Sequence, residues 1–290
     1  MKSIDVLKLL DQYEVLNKPL QEMIDDYYRS NALLPVYLYE NKLINEKKLY
    51  QLNQSEFELN ESKVIKIKDF EIYGKTYPKY YISGDFFGIF QLKDSRVFIT
   101  LSDVSGKGLE AGILALMLSY YITHELNYTS LTPQALLKKI NQLSLEIFDD
   151  IKFATFTILL LDLLSGTIEY AAAGCPPLLH YIHRENTLKE IDLLNIPLGI
   201  ENDFIFKGKK IDLNPGDVIL CYTDGAYEQE NKKGQQYGLE RLKKALKKNL
   251  NKSSKHLVQK LYFDLRFFRM FVPQFDDTTY LVIKYNKKTR

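Results

Sequence analysis

The sequence feature that most restricts the fold is a change of pattern near residue 63. After this point, short runs rich in Val, Ile, Tyr and Phe alternate with longer stretches of helical periodicity. Runs of this kind, bounded by turn residues, are typical of β-strands. The predicted strands are Val64 to Ile67, Tyr80 to Ile82, Val97 to Leu101, Phe153 to Leu161, Thr167 to Ala172, Leu178 to Ile182, Val218 to Tyr222 and Thr279 to Tyr285.

Four helices are predicted between these strands, at Leu109 to Leu126, Pro133 to Phe148, Leu239 to Leu250 and Lys255 to Phe268. Thr132 is the expected N-cap of the second helix, and Ser253 or Ser254 that of the fourth. Strands and helices do not alternate as strict βαβ units, and Ser165-Gly166 predicts a hairpin. The pattern therefore predicts an α+β fold in which antiparallel sheets are covered by helices.

Residues 1–63 have a different pattern, with apolar residues at three- and four-residue intervals, as in an amphipathic helical region. A polar stretch over 51–63 places the boundary between a helical N-terminal region, 1–63, and a second domain, 64–290. Packing of the N-terminal helices on the second domain is one interpretation. A regulatory or dimerisation role, which would make a homodimer, is the other.

Composition excludes several classes of protein. The net charge of +2 gives no reason to expect nucleic acid as a partner. Cys175 and Cys221 offer neither a disulfide framework nor a C-x-x-C metal site, so a cytoplasmic location is expected. The longest apolar stretch, 153–164, is too short to span a membrane, which takes about 20 residues.

One segment, residues 241–260, has a strong charge bias, with eight Lys and Arg and no acidic residue. Leu239, Leu242, Leu246 and Leu250 would form the opposite side of a helix there, so an amphipathic surface helix with solvated lysines is favoured. The alternatives are that this segment binds an acidic protein surface, anionic lipid or nucleic acid.

Acidic residues stand at the ends of predicted strands, next to glycine or to a second Asp. They lie in the contexts SGD (Asp85), SDVSGKG (Asp103), YTDG (Asp224) and FDDTT (Asp276 and Asp277). Each alone is a common turn residue. Strand ends can, however, bring carboxylates to one point, and Mg²⁺ and Mn²⁺ prefer oxygen ligands.

A family resemblance is carried by SGDFFGIF, LSDVSGKGLEAG, FATFTILLLDLLSGTIEYAAAGCPP, PLGI, LNPGDVILCYTDGAYEQEN, YGLERL and FDDTTYLVI, which follow each other in family order. Over about residues 66–286 the chain resembles the PPM-type metal-dependent serine/threonine protein phosphatases, in the bacterial SpoIIE-like (RsbU-like) branch. The resemblance implies two packed antiparallel sheets flanked by helices, an αββα sandwich, and two Mn²⁺ or Mg²⁺ ions. It also implies phosphoserine or phosphothreonine hydrolysis by a metal-activated water on a regulatory partner protein.

The resemblance also implies roles for individual residues. Asp103 matches the bridging aspartate, and Asp85, Asp224 and Asp276 match further metal and catalytic positions. The main-chain carbonyl of Val104 matches a backbone ligand, and Asp277 is the second member of the Asp-Asp pair. The implied partner is a phosphorylated regulatory protein, with a STAS-type anti-anti-sigma factor as the suggested kind.

The chain departs from the family pattern at Gly88, where a second Asp is usual, and at Cys175, where His is frequent. These departures support an alternative function, that of a catalytically weak or inactive phosphatase-like binding module. Lys107 could attract phosphate at a helix start, although a solvated turn lysine is favoured. His124, His180, His183 and His256 do not form a metal-ligand pattern and are expected to be structural or exposed.

Overall fold

The computed structural model describes residues 63–80, 82–128, 131–148 and 151–286, together with residues 16, 18, 19 and 23. Two antiparallel sheets dominate this part of the chain. One sheet contains β1 (Lys63–Ile67), β2 (Phe70–Tyr77), β11 (Thr278–Tyr285), β10 (Val218–Tyr222), β7 (Leu178–Ile182) and β8 (Thr187–Ile191), in that order. The other contains β3 (Asp85–Gln91), β4 (Arg96–Val104), β5 (Ala154–Asp162), β6 (Thr167–Ala173) and β9 (Gly208–Asp212).

The sheets pack face to face, because each has an apolar inner face. Ile72, Ile219 and Ile283 of the six-stranded sheet and Ile99 and Leu159 of the five-stranded sheet lie in one buried cluster between them. Two sheets stacked over a shared core form the central layers of a sandwich.

Helices cover both outer faces. Helices α1 (Leu109–Tyr128) and α2 (Pro133–Ile147) pack on the five-stranded sheet, and α3 (Leu239–Lys248) and α4 (Ser254–Arg269) pack on the six-stranded sheet. The predicted α+β fold, two packed antiparallel sheets flanked by helices, is therefore confirmed. The N-caps are also as predicted, since the Thr132 side chain accepts from the amide of Ala135 and Ser253 caps α4.

One predicted strand is wrong. Tyr80 and Ile82 do not lie in a strand, because β2 ends at Tyr77 and β3 begins at Asp85. The segment between them is a loop whose backbone amides at Lys79 and Gly84 donate to the Asp277 carboxylate instead of to a neighbouring strand. Its apolar residues resembled a strand in sequence, but the amides on either side of them, at Lys79 and Gly84, are bound by a side chain.

The helical prediction for residues 1–63 lies outside the described residues, apart from a few positions. Met23 is fully buried in the cluster formed by α1, α2 and the outer face of the five-stranded sheet, and Leu16 packs against the same cluster. These two contacts are of the kind expected if the N-terminal region packs on the second domain. The boundary at residues 63 and 64 stays a prediction.

Candidate metal and active site

The β3–β4 hairpin brings the first two predicted residues together. Asp85 and Asp103 are direct partners in its antiparallel register, at the end of the hairpin away from the connecting turn. Directly paired residues have neighbouring side chains on the same face of a sheet. Both carboxylates are therefore placed by the backbone ladder.

Asp85 is buried, with 1% of its surface exposed, and is held by two hydroxyl groups. Thr223 Oγ1 and Thr279 Oγ1 each donate to Asp85 Oδ2 at 2.7 Å. Burial, followed by the charges of Asp103 and Asp277, raises the pKa of Asp85 well above its ordinary value. Thr223 directly precedes Asp224, and Thr279 lies two residues after Asp277, but sequence reasoning did not identify either threonine.

Asp224 opens a single 3₁₀ turn, Asp224–Ala226, directly after β10. The following Gly225 allows this turn to approach the loop before β11, because a Cβ atom there would lie 1.9 Å from the Asp277 carbonyl oxygen. Only a residue without a side chain fits such a contact. Gly225 thus places Asp224 beside the Asp276-Asp277 pair.

Asp276 binds a cationic side chain of the same molecule. Lys107 Nζ lies 2.7 Å from Asp276 Oδ2 and donates to the carbonyl oxygen of Phe275 at 3.0 Å. The same ammonium group lies 4.3 Å from the centre of the Phe275 ring. Lys107 is exposed, as expected of a turn lysine, but its ammonium group is also ion-paired with Asp276.

Asp277 anchors the loop that precedes β3. Its Oδ1 accepts from the amide of Lys79 at 2.6 Å, and its Oδ2 accepts from the amide of Gly84 at 2.9 Å. Gly84 in turn lies against the carbonyl oxygen of Val104, where a Cβ would be only 2.8 Å away. These contacts place the Val104 carbonyl and the Asp85 backbone at the same edge of the sandwich.

The electrostatics of the cluster favour bound positive charge. Burial, with the charges of Asp224, Asp276 and Asp277, raises the pKa of Asp103 to about 8. Burial, followed by the charge of Asp276, raises the pKa of Asp224 to about 6. Several carboxylates brought close together in a partly dehydrated site repel each other, and a cation offsets that repulsion.

The described residues do not contain a preformed cage, since no three His, Cys, Asp or Glu side chains among them converge tightly enough to hold a metal ion. The contacts above give the reason. Asp85 is turned to Thr223 and Thr279, Asp277 is turned to backbone amides, and Asp276 is turned to Lys107. The donor set itself is made of carboxylate and carbonyl oxygens, as hard divalent cations require.

The departure at Gly88 has a packing explanation. Gly88 lies opposite Thr100 in the β3–β4 register, and a Cβ there would be 2.3 Å from the Phe90 ring. Side chains alternate across a strand, so position 88 points to the opposite face from Asp85. The lack of a carboxylate at position 88 therefore leaves unchanged the sheet face that carries Asp85 and Asp103.

Cys175, the second departure, is a half-buried thiol whose Sγ donates to the carbonyl oxygen of Ala173 at 3.6 Å. Burial raises its pKa to about 11, so it carries little thiolate at neutral pH.

His180 is structural as expected, because its Nε2 lies 3.1 Å from Asp217 Oδ2 in a buried pair. The importance of Asp217 was not recognised from the sequence.

The basic segment 241–260 forms α3 and the start of α4. Leu242 and Leu246 are buried against the sheet, and Lys243 forms ion pairs with Glu190 and Glu240. The amphipathic surface helix is thus confirmed, and at least one of its lysines is neutralised within the molecule. Of the helices described, none is both long enough and apolar enough to cross a bilayer.

Comparison with known proteins places this cluster in a family. Residues 93–286, more than half of the chain, match the model of the Stage II sporulation protein E (SpoIIE) family. The chain belongs to the SpoIIE family. This confirms the SpoIIE-like resemblance, since the match includes Asp103, Asp224, Asp276 and Asp277.

Individual relatives of this SpoIIE-family chain have low sequence identity to it. It is 28% identical over 209 residues to the phosphoserine phosphatase RsbU of Bacillus subtilis (strain 168), covering 71% of this chain and 61% of RsbU. The chain spans less than two thirds of the length of the curated relatives that it matches.

Solved structures share the fold of the SpoIIE-family chain. The PP2C phosphatase domain of SpoIIE from Bacillus subtilis, solved with a fragment of its regulatory domain, has a TM-score of 0.64 and 18% identity, over 83% of this chain and 75% of that one. RsbX in complex with magnesium has a TM-score of 0.57 and 17% identity, over 77% of this chain and 98% of that one. At these identities the similarity shows the fold alone.

Proposed function

We propose that this chain is a metal-dependent protein phosphatase that hydrolyses phosphoserine or phosphothreonine on a regulatory partner protein. The observation that supports the proposal is the grouping of Asp85, Asp103, Asp224 and Asp276 at one edge of a sandwich of SpoIIE-family fold, close enough that neighbouring charges help to raise the pKa values of Asp85, Asp103 and Asp224. The relative RsbU is named a phosphoserine phosphatase. A cytoplasmic location belongs to the same proposal.

The site residues have distinct proposed roles. Asp103, Asp85, Asp224, Asp276 and the carbonyl of Val104 would hold Mg²⁺ or Mn²⁺, two ions by family resemblance. Divalent cations, when bound, neutralise the phosphate charge and lower the pKa of the attacking water. Asp277 is a metal position by resemblance, but its two hydrogen bonds to backbone amides support a positioning role.

Lys107 competes with a cation for the same oxygen. Its ammonium group lies on Asp276 Oδ2, so that carboxylate can bind a metal fully only after Lys107 has moved. A lysine released at the mouth of an acidic cleft is a donor for the oxygens of an incoming phosphate ester. This supports a contribution of Lys107 to substrate binding.

We propose the kind of partner from chemistry and family resemblance alone. A phosphorylated regulatory protein of STAS type is the kind that the resemblance suggests, and the relatives RsbU and RsbP are both named phosphoserine phosphatases. The described residues form no surface feature that favours nucleic acid over protein as the molecule that carries the phosphate ester.

The deciding experiment is hydrolysis of p-nitrophenyl phosphate and of phosphoserine and phosphothreonine peptides by the full chain, with Mn²⁺, with Mg²⁺ and with EDTA. Turnover that requires a divalent cation is expected. Tight phosphopeptide binding without turnover under any metal condition would instead identify the alternative, a phosphatase-like binding module.

A further inference from the structure

We propose, on the basis of the proposed function, that an acidic segment of the phosphorylated partner, one that also carries apolar side chains, docks on an exposed aromatic surface beside the active site. We call this surface the aromatic stripe. It consists of Phe263, Phe267, Met270, Phe271 and Phe275.

The aromatic stripe begins on the outer face of α4. This helix buries Leu257, Val258, Leu261 and Leu265 against the six-stranded sheet. Phe263 and Phe267, one turn apart on the opposite side, are 64% and 72% exposed. Residues four apart on a helix are neighbours, so the two rings form one patch.

The stripe continues through the loop after α4. Met270, Phe271 and Phe275 are 62%, 81% and 51% exposed. Large exposed apolar patches on a folded domain usually mark interaction sites, and aromatic residues dominate the energetics of such sites. A helix with apolar residues on both faces needs a partner for its second face.

The loop that carries these side chains is held firmly by hydrogen bonds. Gln229 Nε2 donates to the carbonyl of Pro273 at 3.2 Å, and its Oε1 accepts from the amide of Phe275 at 2.8 Å. Gln274 Nε2 donates to the carbonyl of Tyr77 at 2.7 Å. An ordered loop presenting exposed rings reduces the entropy lost on binding.

Lysines accompany the rings along the stripe. Lys260 Nζ lies 5.8 Å from the centre of the Phe263 ring, and Lys232 Nζ lies 4.9 Å from that of Phe271. Lys107 and Lys79 lie 4.3 and 6.0 Å from the Phe275 ring. A complementary ligand combines carboxylates, which pair with the ammonium groups, and apolar side chains, which contact the rings.

The stripe ends at the proposed active site. Phe275 directly precedes Asp276, and its carbonyl oxygen accepts from both Lys79 Nζ, at 2.8 Å, and Lys107 Nζ, at 3.0 Å. A chain segment whose phosphoserine enters the acidic cleft can therefore continue over Phe275 towards Phe271 and α4. This continuity favours the substrate protein as the occupant.

Two other occupants fit less well. A second copy related by a two-fold axis would bring the lysines of one stripe towards those of its partner. A flat anionic bilayer seated on Phe275 would cover the cleft that the phosphate must enter. An acidic peptide segment meets neither obstacle.

The test uses the full chain with Mn²⁺ and the variant Phe263→Ser/Phe267→Ser/Phe271→Ser. The matched control is Leu194→Ser/Ile205→Ser, which removes two residues that are 87% and 84% exposed outside the stripe. The probes are two fluorescein-labelled phosphoserine peptides of equal length. One has Asp, Glu and Leu around the phosphoserine, and the other has Lys and Ser.

We expect wild type and the control to prefer the acidic peptide, and the stripe variant to lose at least about tenfold in kcat/KM for it, through KM. Hydrolysis of p-nitrophenyl phosphate should stay within twofold in all three proteins. Equal kcat/KM for the acidic peptide in variant and wild type would overturn the proposal, as would the absence of any preference for that peptide in wild type.

Fluorescence anisotropy with the same peptides separates this proposal from the proposed function, because it reports binding without turnover. Preferential binding of the acidic peptide that the stripe variant loses would support docking even if no ester were hydrolysed. Sedimentation velocity and flotation with phosphatidylserine vesicles test the other occupants. A dimer or vesicle binding that the stripe variant alone loses, with peptide binding unchanged, would contradict the proposal.

Discussion

Individual residues outside the acidic cluster decide how well it is held in place. Asp217 is such a residue, because its side chain is fully buried and accepts hydrogen bonds from His180 Nε2 and from the amides of His183 and Asn214. Burial alone would raise the pKa of Asp217, but these hydrogen bonds outweigh it and the pKa is lowered. Asp217 therefore stabilises the turn before β10, the strand that leads to Asp224.

Asp217→Ala should lower the free energy of unfolding by about 3 kcal/mol at pH 7, since it leaves buried donors without an acceptor. A carboxyl whose pKa is lowered on folding stabilises the fold above its unfolded value, about 3.9, and this contribution disappears as the pH falls through the folded value. The difference in melting temperature between wild type and variant should thus be largest at pH 7 and should narrow as the pH falls below about 4 towards the folded pKa, because only the part that depends on ionisation is lost. A difference that does not narrow at low pH would contradict this account.

Gly225→Ala should separate Asp224 from the Asp276-Asp277 pair, because the new Cβ would otherwise lie 1.9 Å from the Asp277 carbonyl oxygen. We expect the Mn²⁺ concentration for half-maximal activity to rise by about an order of magnitude, as when the support of a metal ligand is lost. Gly234→Ala is a control for backbone strain without a clash, since its φ of +68° disfavours alanine but no atom lies within 4 Å of the position that the new methyl group would take. An unchanged Mn²⁺ requirement in Gly225→Ala would count against the role of this contact.

At the scale of elements, the basic helix α3 is a structural cover of the six-stranded sheet. Lys243 connects it to β8 through Glu190 at 2.7 Å, and its buried leucines face the sheet. Neutralising Lys243, Lys244, Lys247 and Lys248 together should leave hydrolysis of p-nitrophenyl phosphate within twofold of wild type. The free energy of unfolding should fall by no more than about 1 kcal/mol, as expected when a partly exposed ion pair is lost. A tenfold fall in that rate would show that α3 contributes to the active site.

The strands differ in how clearly their own residues indicate a strand. β10 was predicted at its observed bounds, Val218–Tyr222, because it is apolar throughout, as a central strand should be. The strands β2, β3, β8 and β9 were not predicted, and of these β8 (TLKEI) and β9 (GKKID) are short edge strands with lysines and little apolar character. Their pairing comes from neighbouring strands, which the local sequence does not reveal.

At the scale of the whole molecule, the acidic cluster joins segments that are far apart in sequence. The sequence alone indicated which carboxylates to consider, because each stands at a strand end. It could not indicate the Lys107–Asp276 ion pair or the threonine bonds to Asp85, since these join residues up to 194 positions apart. Contacts of that kind depend on how the two sheets pack.

Asp103→Asn and Asp224→Asn should each reduce Mn²⁺-dependent turnover by orders of magnitude, because each removes a charged oxygen ligand from the proposed site. Without metal, their melting temperatures should equal or exceed that of wild type, since an amide relieves repulsion among the carboxylates. Asp94→Asn is the control. Asp94 lies at the opposite end of the β3–β4 hairpin, with its side chain 53% exposed beside Arg96.

Differential scanning calorimetry in EDTA and a Mn²⁺-dependent assay would check both parts. If the two variants fold and turn over like wild type, or if Asp94→Asn is equally inactive, the assignment of the metal site is wrong.

The direct pairing of Asp85 with Asp103 has a consequence for how such enzymes can diverge. The separation of the two backbone positions is set by main-chain hydrogen bonds, so substitutions around them cannot adjust it gradually. Asp224 and Asp276 lie on a turn and a loop, where insertions and substitutions are tolerated. On the proposed function, adaptation to a different cation must therefore arise on the loop side of the cleft, while the hairpin side stays fixed.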